Sequence, residues 1–304
     1  MSVLHTPVLV EEAIEWLRIR PEGTYIDATV GTGGHSLEIA RRLTTGRLVG
    51  MDRDPRALEI ARERLKEYGQ KVILMHAEFS KIGEVASDGK FPPFDGVIAD
   101  LGISSLELDS PERGFSFRWA APLDMRMNPD TPLTAAEIVN HWPEKELADL
   151  LYRNAEERHS RGIARAIVRA RPIRDTEHLA TVVAGGRKVR GRQKLHPATK
   201  TFLALRTAVN REEEELGQFL SRTPATISFG GRWIVISYHS LEDRLVKHAF
   251  QRLAKEGSFR VLTKKVIQPG QDEIRDNPRS RSAKMRVAEK IEAAAEKDAG
   301  SSRP

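Results

Sequence analysis

One nine-residue segment, Asp27-Ala28-Thr29-Val30-Gly31-Thr32-Gly33-Gly34-His35, constrains this chain more than any other. It joins a short apolar run, Thr24–Thr29, to a stretch near His35–Leu43 with helical spacing. Glycines at such a junction let the backbone turn sharply and let a ligand approach the main chain, and the start of the following helix presents free N–H donors. The same alternation repeats on either side. Strands are predicted at Arg47–Asp52, Lys71–His76 and Phe94–Asp100, and a helix from Pro55 to Tyr68. An earlier helix is predicted from Thr6 to Arg18, with Thr6 as cap, Pro7 in the first turn, and Glu11 and Glu12 close behind. Short apolar strands separated by helices predict an α/β fold with a doubly wound parallel sheet.

The alternation stops near residue 104. From 110 to 216 the pattern is helical and polar, broken by prolines, with no strand spacing. Strand character returns at Arg232–Ser237, followed by a helix near Leu241–Leu253 and a hairpin-like pair at Phe259–Val266 and Ala283–Val287. The economical arrangement is one α/β domain in two pieces, 1–109 and 217–290, interrupted by an all-helical insertion at 110–216. A flexible Ala/Glu/Lys-rich tail would occupy 291–304.

Charge marks the insertion. Eleven lysines and arginines against two acids between Arg158 and Lys194 give that stretch a net +9, in a chain whose total is +6. Arg158, Arg161, Arg165 and Arg169 recur at three- and four-residue steps and share a helix face. Arg187, Lys188, Arg190, Arg192 and Lys194 fall in a glycine-containing loop. A block of one sign suits phosphate contacts, with a solvated helix face as the plainer reading. Cysteine is absent, which removes disulfides, thiolate metal sites and every cysteine-nucleophile mechanism. The strongest apolar run, Trp233–Ile236, has strand length, so no membrane span is expected. The first residues carry neither a basic nor an apolar leader region, and a cytoplasmic location is expected.

The glycine loop narrows the ligand. Ser36 stands where a dinucleotide fingerprint needs a third glycine or alanine. The Asp-x-x-x-Gly-x-Gly form looks instead like an S-adenosylmethionine site. Asp52 ends the next predicted strand, 19 residues after Gly33, where a carboxylate can accept ribose hydroxyls.

Longer strings carry a more specific resemblance. They include His5-Thr6-Pro7-Val8-Leu9, Gly31–Ser36, Asp100-Leu101-Gly102-Ile103-Ser104-Ser105 and Arg113-Gly114-Phe115-Ser116-Phe117. Further along come Leu123-Asp124-Met125-Arg126-Met127, His196-Pro197-Ala198-Thr199-Lys200 and Ser237-Tyr238-His239-Ser240-Leu241-Glu242-Asp243. In this order, over nearly all of residues 5–290, the chain resembles the bacterial small-subunit (16S) ribosomal RNA cytosine-N4 methyltransferases, the MraW/RsmH family. The resemblance implies a class I S-adenosylmethionine-dependent methyltransferase fold (Rossmann-like) with an inserted helical domain. It implies methylation of the exocyclic N4 amine of a cytidine, and small-subunit ribosomal RNA or the small subunit itself as partner. No membrane is involved, and a homodimer stays open. It places cofactor contacts on Gly33, Gly34, His35, Asp52, Phe79 and Asp100. Glu107 completes that set, although Leu106 and Glu107 stand where the family usually has Pro and Gln.

Exocyclic amine methylation needs acceptors that localise a lone pair and take a proton, not a covalent intermediate. Asp100 or nearby backbone carbonyls can serve, although Asp100-Leu101-Gly102-Ile103 replaces the Asn/Asp-Pro-Pro-aromatic motif frequent in amino-methyltransferases. Ser237 and His239 follow the Trp233–Ile236 run and are expected at the same crevice, with a plain hydrogen-bonded histidine as the alternative for His239. His196 and Lys200, with Arg161, Arg165 and Arg169, complete the expected RNA-contacting set; capping is the alternative for the first two. Glu212–Glu215 reads as a solvated helix end, and no metal is expected. Phe115, Phe117 and Trp119 alternate, suited to packing the insertion on the sheet domain or to stacking on bases. An NAD-linked oxidoreductase, a non-catalytic RNA-binding factor, and an adenine-N6 or protein methyltransferase stay as rivals.

Overall fold

The computed structural model describes residues 7–186 and 196–292. The chain divides into two compact units, one formed by Met1–Gly102 with Leu216–Pro304 and the other by Ile103–Glu215.

The first unit is built on seven strands: β1 Thr24–Asp27, β2 Arg47–Asp52, β3 Val72–His76, β4 Phe94–Asp100, β5 Ile227–Ser237, β6 Phe259–Val261 and β7 Lys284–Lys290. Their order is β3-β2-β1-β4-β5-β7-β6. The first five pair in parallel, and β7 runs antiparallel to both β5 and β6. This is the sheet of class I S-adenosylmethionine-dependent methyltransferases, as expected.

Both sheet faces are buried, so each central strand is apolar on alternate sides. Tyr25, Leu48, Ile98, Ile234 and Ile236 share one core with α1 (Val10–Leu17), α2 (Gly34–Ala40) and α3 (Pro55–Arg64). Ile26, Val49, Val97, Ala99, Trp233 and Val235 face the opposite core, with α4 (Ile82–Asp88) and residues of two later helices. Trp233 is its centre, with ring centroids of Phe219, Phe250 and Phe259 at 5.8, 4.9 and 6.1 Å.

In the second unit the described residues form α5 (Ser105–Leu108), α6 (Ala135–His141), α7 (Glu144–Ala155), α8 (Ser160–Arg169), α9 (Thr176–Gly186) and α10 (Thr199–Val209), with no strand among them. Then come α11 (Glu212–Thr226), whose later residues Leu216, Phe219 and Leu220 lie in the first unit's core, α12 (Ser240–Lys255) and α13 (Gln271–Asp276). The insertion has its own core, centred on Ile138, Leu147, Leu151, Ile163, Ile167 and Leu205. Phe115 and Phe117 pack into that core, and Trp119 is 46% exposed. Glu212–Glu215 is more than a solvated helix end. Arg206 holds Glu212 through two bonds of 2.8 and 2.7 Å, and Glu215 is buried. No helix of the described residues is long and apolar enough to cross a membrane.

Several expected bounds shift. The helix predicted from Thr6 begins at Val10, behind Leu9 in a left-handed conformation, and Thr6 lies outside the described residues. The helix predicted to Tyr68 ends at Arg64, where a 3-10 segment, Lys66–Lys71, takes over around Gly69 at φ +51°. β5 starts five residues earlier than predicted, at Ile227.

Candidate active site

In a sheet ordered β3-β2-β1-β4-β5, the chain reverses its direction of winding between β1 and β4. Ligands of such sheets bind outside the carboxyl ends of the strands at that reversal. Here those ends carry Asp27 (β1), Asp52 (β2), Asp100 (β4) and Ser237 (β5).

The glycine loop leaves β1 and enters α2. Gly33, the cap of α2, has φ +83°, and Gly31 has φ +53°, backbone geometry that favours glycine. A Cβ at Gly31 would meet no atom within 4 Å, so open space lies over the loop there. Gly34 is required for another reason: a Cβ would come within 2.8 Å of Pro7. Asp52 braces the loop from the next strand. Its Oδ2 accepts the Gly31 N–H at 2.7 Å and its Oδ1 the Asp54 N–H at 2.8 Å. The Asp54 side chain in turn accepts the Arg56 N–H, capping α3 at Pro55. Burial raises the Asp52 carboxyl above its ordinary value. Phe79, in a turn after β3, packs edge-on against Phe219 at 5.3 Å, with the Arg53 guanidinium 5.3 Å from its ring centre.

Asp100 stands in a cluster of ionisable groups. Its Oδ1 accepts from the Tyr238 hydroxyl at 2.9 Å, and its Oδ2 lies 4.0 Å from His35 Nδ1. The other His35 nitrogen, Nε2, is 3.0 Å from the Val8 carbonyl, which can only accept. That contact assigns a proton to Nε2 and turns Nδ1 toward Asp100. Asp27 sits behind, its Oδ2 accepting from Ser36 Oγ at 2.7 Å and its Oδ1 from the Thr29 N–H at 3.1 Å. Burial pushes both Asp27 and Asp100 up to about 6. For Asp100, nearby His35 and the Tyr238 bond pull the other way. The same burial, with Asp100 alongside, drives the Tyr238 phenol well above its usual range, so it remains a proton donor. Asp100 keeps 23% of its side chain exposed, which leaves it reachable.

Among the described residues, the other expected site residues are each held by local partners or exposed within their own unit. Ser237 is buried, and its hydroxyl donates to the Lys284 carbonyl of β7 at 3.4 Å. His239 caps α12 and lies 3.0 Å from Glu242 Oε1, while Glu242 Oε2 accepts the Tyr238 N–H. Glu107, in the second unit, is buried and turned back on its own helix, accepting from the Ser104 N–H and hydroxyl at 2.7 and 2.9 Å. Arg161, Arg165 and Arg169 are exposed along α8, and Arg165 lies 3.5 Å from Glu144. His196 stacks on Phe117 with ring centroids 4.6 Å apart, and its Nδ1 accepts the Ala198 N–H. Lys200 Nζ donates to the Glu156 carbonyl at the end of α7, where a helix favours a cation. Arg187, Lys188, Arg190, Arg192 and Lys194 lie outside the described residues. Tyr238 is the residue that sequence reasoning left without a role. Its signal was its place one residue past a strand expected to end at the crevice.

The strand order with its antiparallel β7, the reversal point, the open glycine loop and the carboxylate ending β2 are those of a class I methyltransferase fold. A family model described as the MraW methylase family matches residues 2–291, and the chain belongs to that family. A Ribosomal RNA small subunit methyltransferase H from Solibacter usitatus is 50% identical over 286 residues, covering 94% of this chain and 99% of that protein. Proteins of the same name from Koribacter versatilis and Cyanothece sp. are 50% and 49% identical, covering 93% and 95% of this chain and 93% and 96% of their own lengths. With a methylase family and a class I fold established, S-adenosyl-L-methionine is the cofactor. The residues fit it: open space at Gly31, the first turn of α2 after it, a carboxylate at Asp52 for hydroxyls, and a reachable carboxylate at Asp100.

Proposed function

We propose that this protein transfers a methyl group from S-adenosyl-L-methionine to the exocyclic N4 amine of a cytidine in small-subunit ribosomal RNA. The observation that carries this reading is the Asp100 carboxylate, held by Tyr238 at the reversal point of a methylase sheet, beside the loop that suits the cofactor. The names of the relatives support ribosomal RNA as substrate, and the sequence resemblance supports N4 of cytidine.

In this reading Gly33, Gly34 and the His35 N–H hold the methionine end, Asp52 the ribose and Phe79 the adenine. S-adenosylmethionine supplies, when bound, a methyl made electrophilic by positively charged sulfur. The chain's own contribution is alignment and proton removal. A cytosine amine is a weak nucleophile because its lone pair is drawn into the ring. An acceptor on its N–H returns that density to nitrogen and takes the proton as the new C–N bond forms. Asp100 is that acceptor. Tyr238 occupies Oδ1, so the other oxygen is the one free to receive the proton. The chain has no thiol to add to a pyrimidine ring, which rules out the cysteine route to C5 methylation. Ser237 and His239 serve the architecture of the β5 end, and the exposed arginines of α8 meet the RNA backbone.

Nucleoside mass spectrometry tests this reading. Small-subunit RNA lacking the modification, incubated with the chain and cofactor, should yield N4-methylcytidine. Methyl on C5, on adenine or on protein, or none at all, overturns it.

Two variants examine its parts. Asp52→Ala should weaken S-adenosylhomocysteine binding by about 1–3 kcal/mol in calorimetry, since a charge-assisted bond and the brace on Gly31 both go; unchanged affinity removes Asp52 from the site. Reversing charge at Arg165 and Arg169 should lower the slope of log affinity for RNA against log salt by roughly one for each phosphate no longer neutralised. An unaltered slope means these arginines are only solvated surface.

A further inference from the structure

The second unit contains a cleft of about 560 Å³, within the roughly 300–1,000 Å³ of ligand sites. It lies between α7 and the first turn of α8, and Gly186, at the end of α9, also lines it. Glycine is needed there, because a Cβ at Gly186 would come within 2.8 Å of Ala166 on α8. One wall presents Tyr152, 60% exposed although it is a large aromatic residue. Arg158, His159 and Arg161, all exposed, line the other side. The acids nearby are Asp149, the exposed Glu156 at the end of α7, and Glu157. Asp149 lines the cleft, and Glu157 is buried, turned to accept the His159 N–H at 2.8 Å. The first turn of α8 carries no acid.

An exposed ring beside two guanidinium groups offers a flat stacking surface and two anion donors in one concavity. Exposure alone would mean little, but this ring is exposed within a concavity that also holds the arginines, where a planar ligand can reach both. A purely anionic ligand would use the arginines and leave the ring idle. An apolar ligand would leave the arginines without partners. A nucleotide within a single strand satisfies both, with its base on the ring and flanking phosphates on the guanidiniums.

We propose that this cleft is a subsite for one unpaired nucleotide of the RNA substrate, with Tyr152 stacking on its base and Arg158 and Arg161 holding its phosphates. This rests on the RNA reading above and extends it to a contact within the second unit, made on single-stranded rather than duplex RNA.

The test uses the full chain and a fluorescein-labelled single-stranded RNA hexamer of mixed sequence, with its duplex and inorganic hexaphosphate as competitors. Tyr152→Ala should weaken hexamer binding roughly 5- to 100-fold, and Tyr152→Phe, which keeps the ring, should bind as the wild type does. Arg158→Gln should lower the salt slope by about one. Thermal melts of each variant confirm that the fold is kept. The subsite is overturned if Tyr152→Ala binds as tightly as wild type, if Tyr152→Phe is as weak as Tyr152→Ala, or if hexaphosphate or the duplex competes as well as the single strand. The methylation assay separates the two failures. If wild type methylates small-subunit RNA and Tyr152→Ala does so with unaltered KM, the subsite falls and the enzyme stands. If wild type methylates no RNA, the enzyme reading falls, and hexamer binding still reports on the cleft.

Discussion

Asp100→Asn should reduce methyl transfer by roughly 10²- to 10⁴-fold, the usual worth of a positioned proton acceptor. The amide is nearly the same size and still accepts from the Tyr238 hydroxyl, but it cannot take a proton from the amine. The pH profile makes this specific. The carboxylate is the working form and titrates near 6, so wild-type turnover should be level above that pH and fall about tenfold for each unit below it. Tyr238→Phe gives a second reading of the same group. The hydroxyl lowers the Asp100 value, so its loss should move the acid limb to higher pH while most turnover is kept at pH 8. Calorimetry with S-adenosylhomocysteine separates proton transfer from cofactor binding. If Asp100→Asn turns over at the wild-type rate, or if the acid limb stays in place in Tyr238→Phe, Asp100 is not the acceptor.

Asp27→Asn should make the protein more stable at neutral pH. Asp27 is buried with both oxygens hydrogen-bonded, yet its carboxyl is raised from 3.8 to about 6 because burial outweighs those bonds. Below pH 4 the group is protonated in folded and unfolded chains alike and contributes no pH dependence. Between 4 and 6 the unfolded chain releases its proton while the folded one keeps it, so stability falls as pH rises. Above 6 the full penalty applies, about 3 kcal/mol at about 1.4 kcal/mol per pH unit. Asparagine carries no charge to desolvate. Denaturant melts should therefore show the smallest difference near pH 3.5 and a growing one toward pH 7.5, with the variant gaining up to about 3 kcal/mol across that range. A constant difference across that range would mean that Asp27 does not titrate as burial dictates.

Much of the fold was readable because both sheet faces are covered. Arg47–Asp52 and Phe94–Asp100 are short apolar runs ending in a charge, and both are strands with those bounds. The readings failed where tertiary pairing overrides local signals. The strand expected from Arg232 starts at Ile227, so Phe229-Gly230-Gly231 lies inside β5. The strand bends there with Gly230 at φ +75°, and its register against β4 slips between Phe94 and Gly96. The helical pattern expected to stop at 216 continues, and α11 runs through Pro224 to Thr226. At the site, glycine spacing and strand ends located the loop, Asp52 and Asp100. What spacing could not provide was the partner of each charge. Tyr238 reaches Asp100 across 138 positions of sequence, and Lys200 reaches the end of α7 across 44. Those pairings exist only once β4 lies beside β5, and α10 beside α7.

The stretch before α1 has a consequence for the glycine loop. Pro7 closes over Gly34, the Val8 carbonyl fixes the His35 ring, and the Leu9 N–H is anchored on Glu273 at 2.9 Å. Residues 7–9 thus bolt the start of α2 in place from behind. A substitution at Pro7 or Leu9 would therefore be felt at the glycine loop.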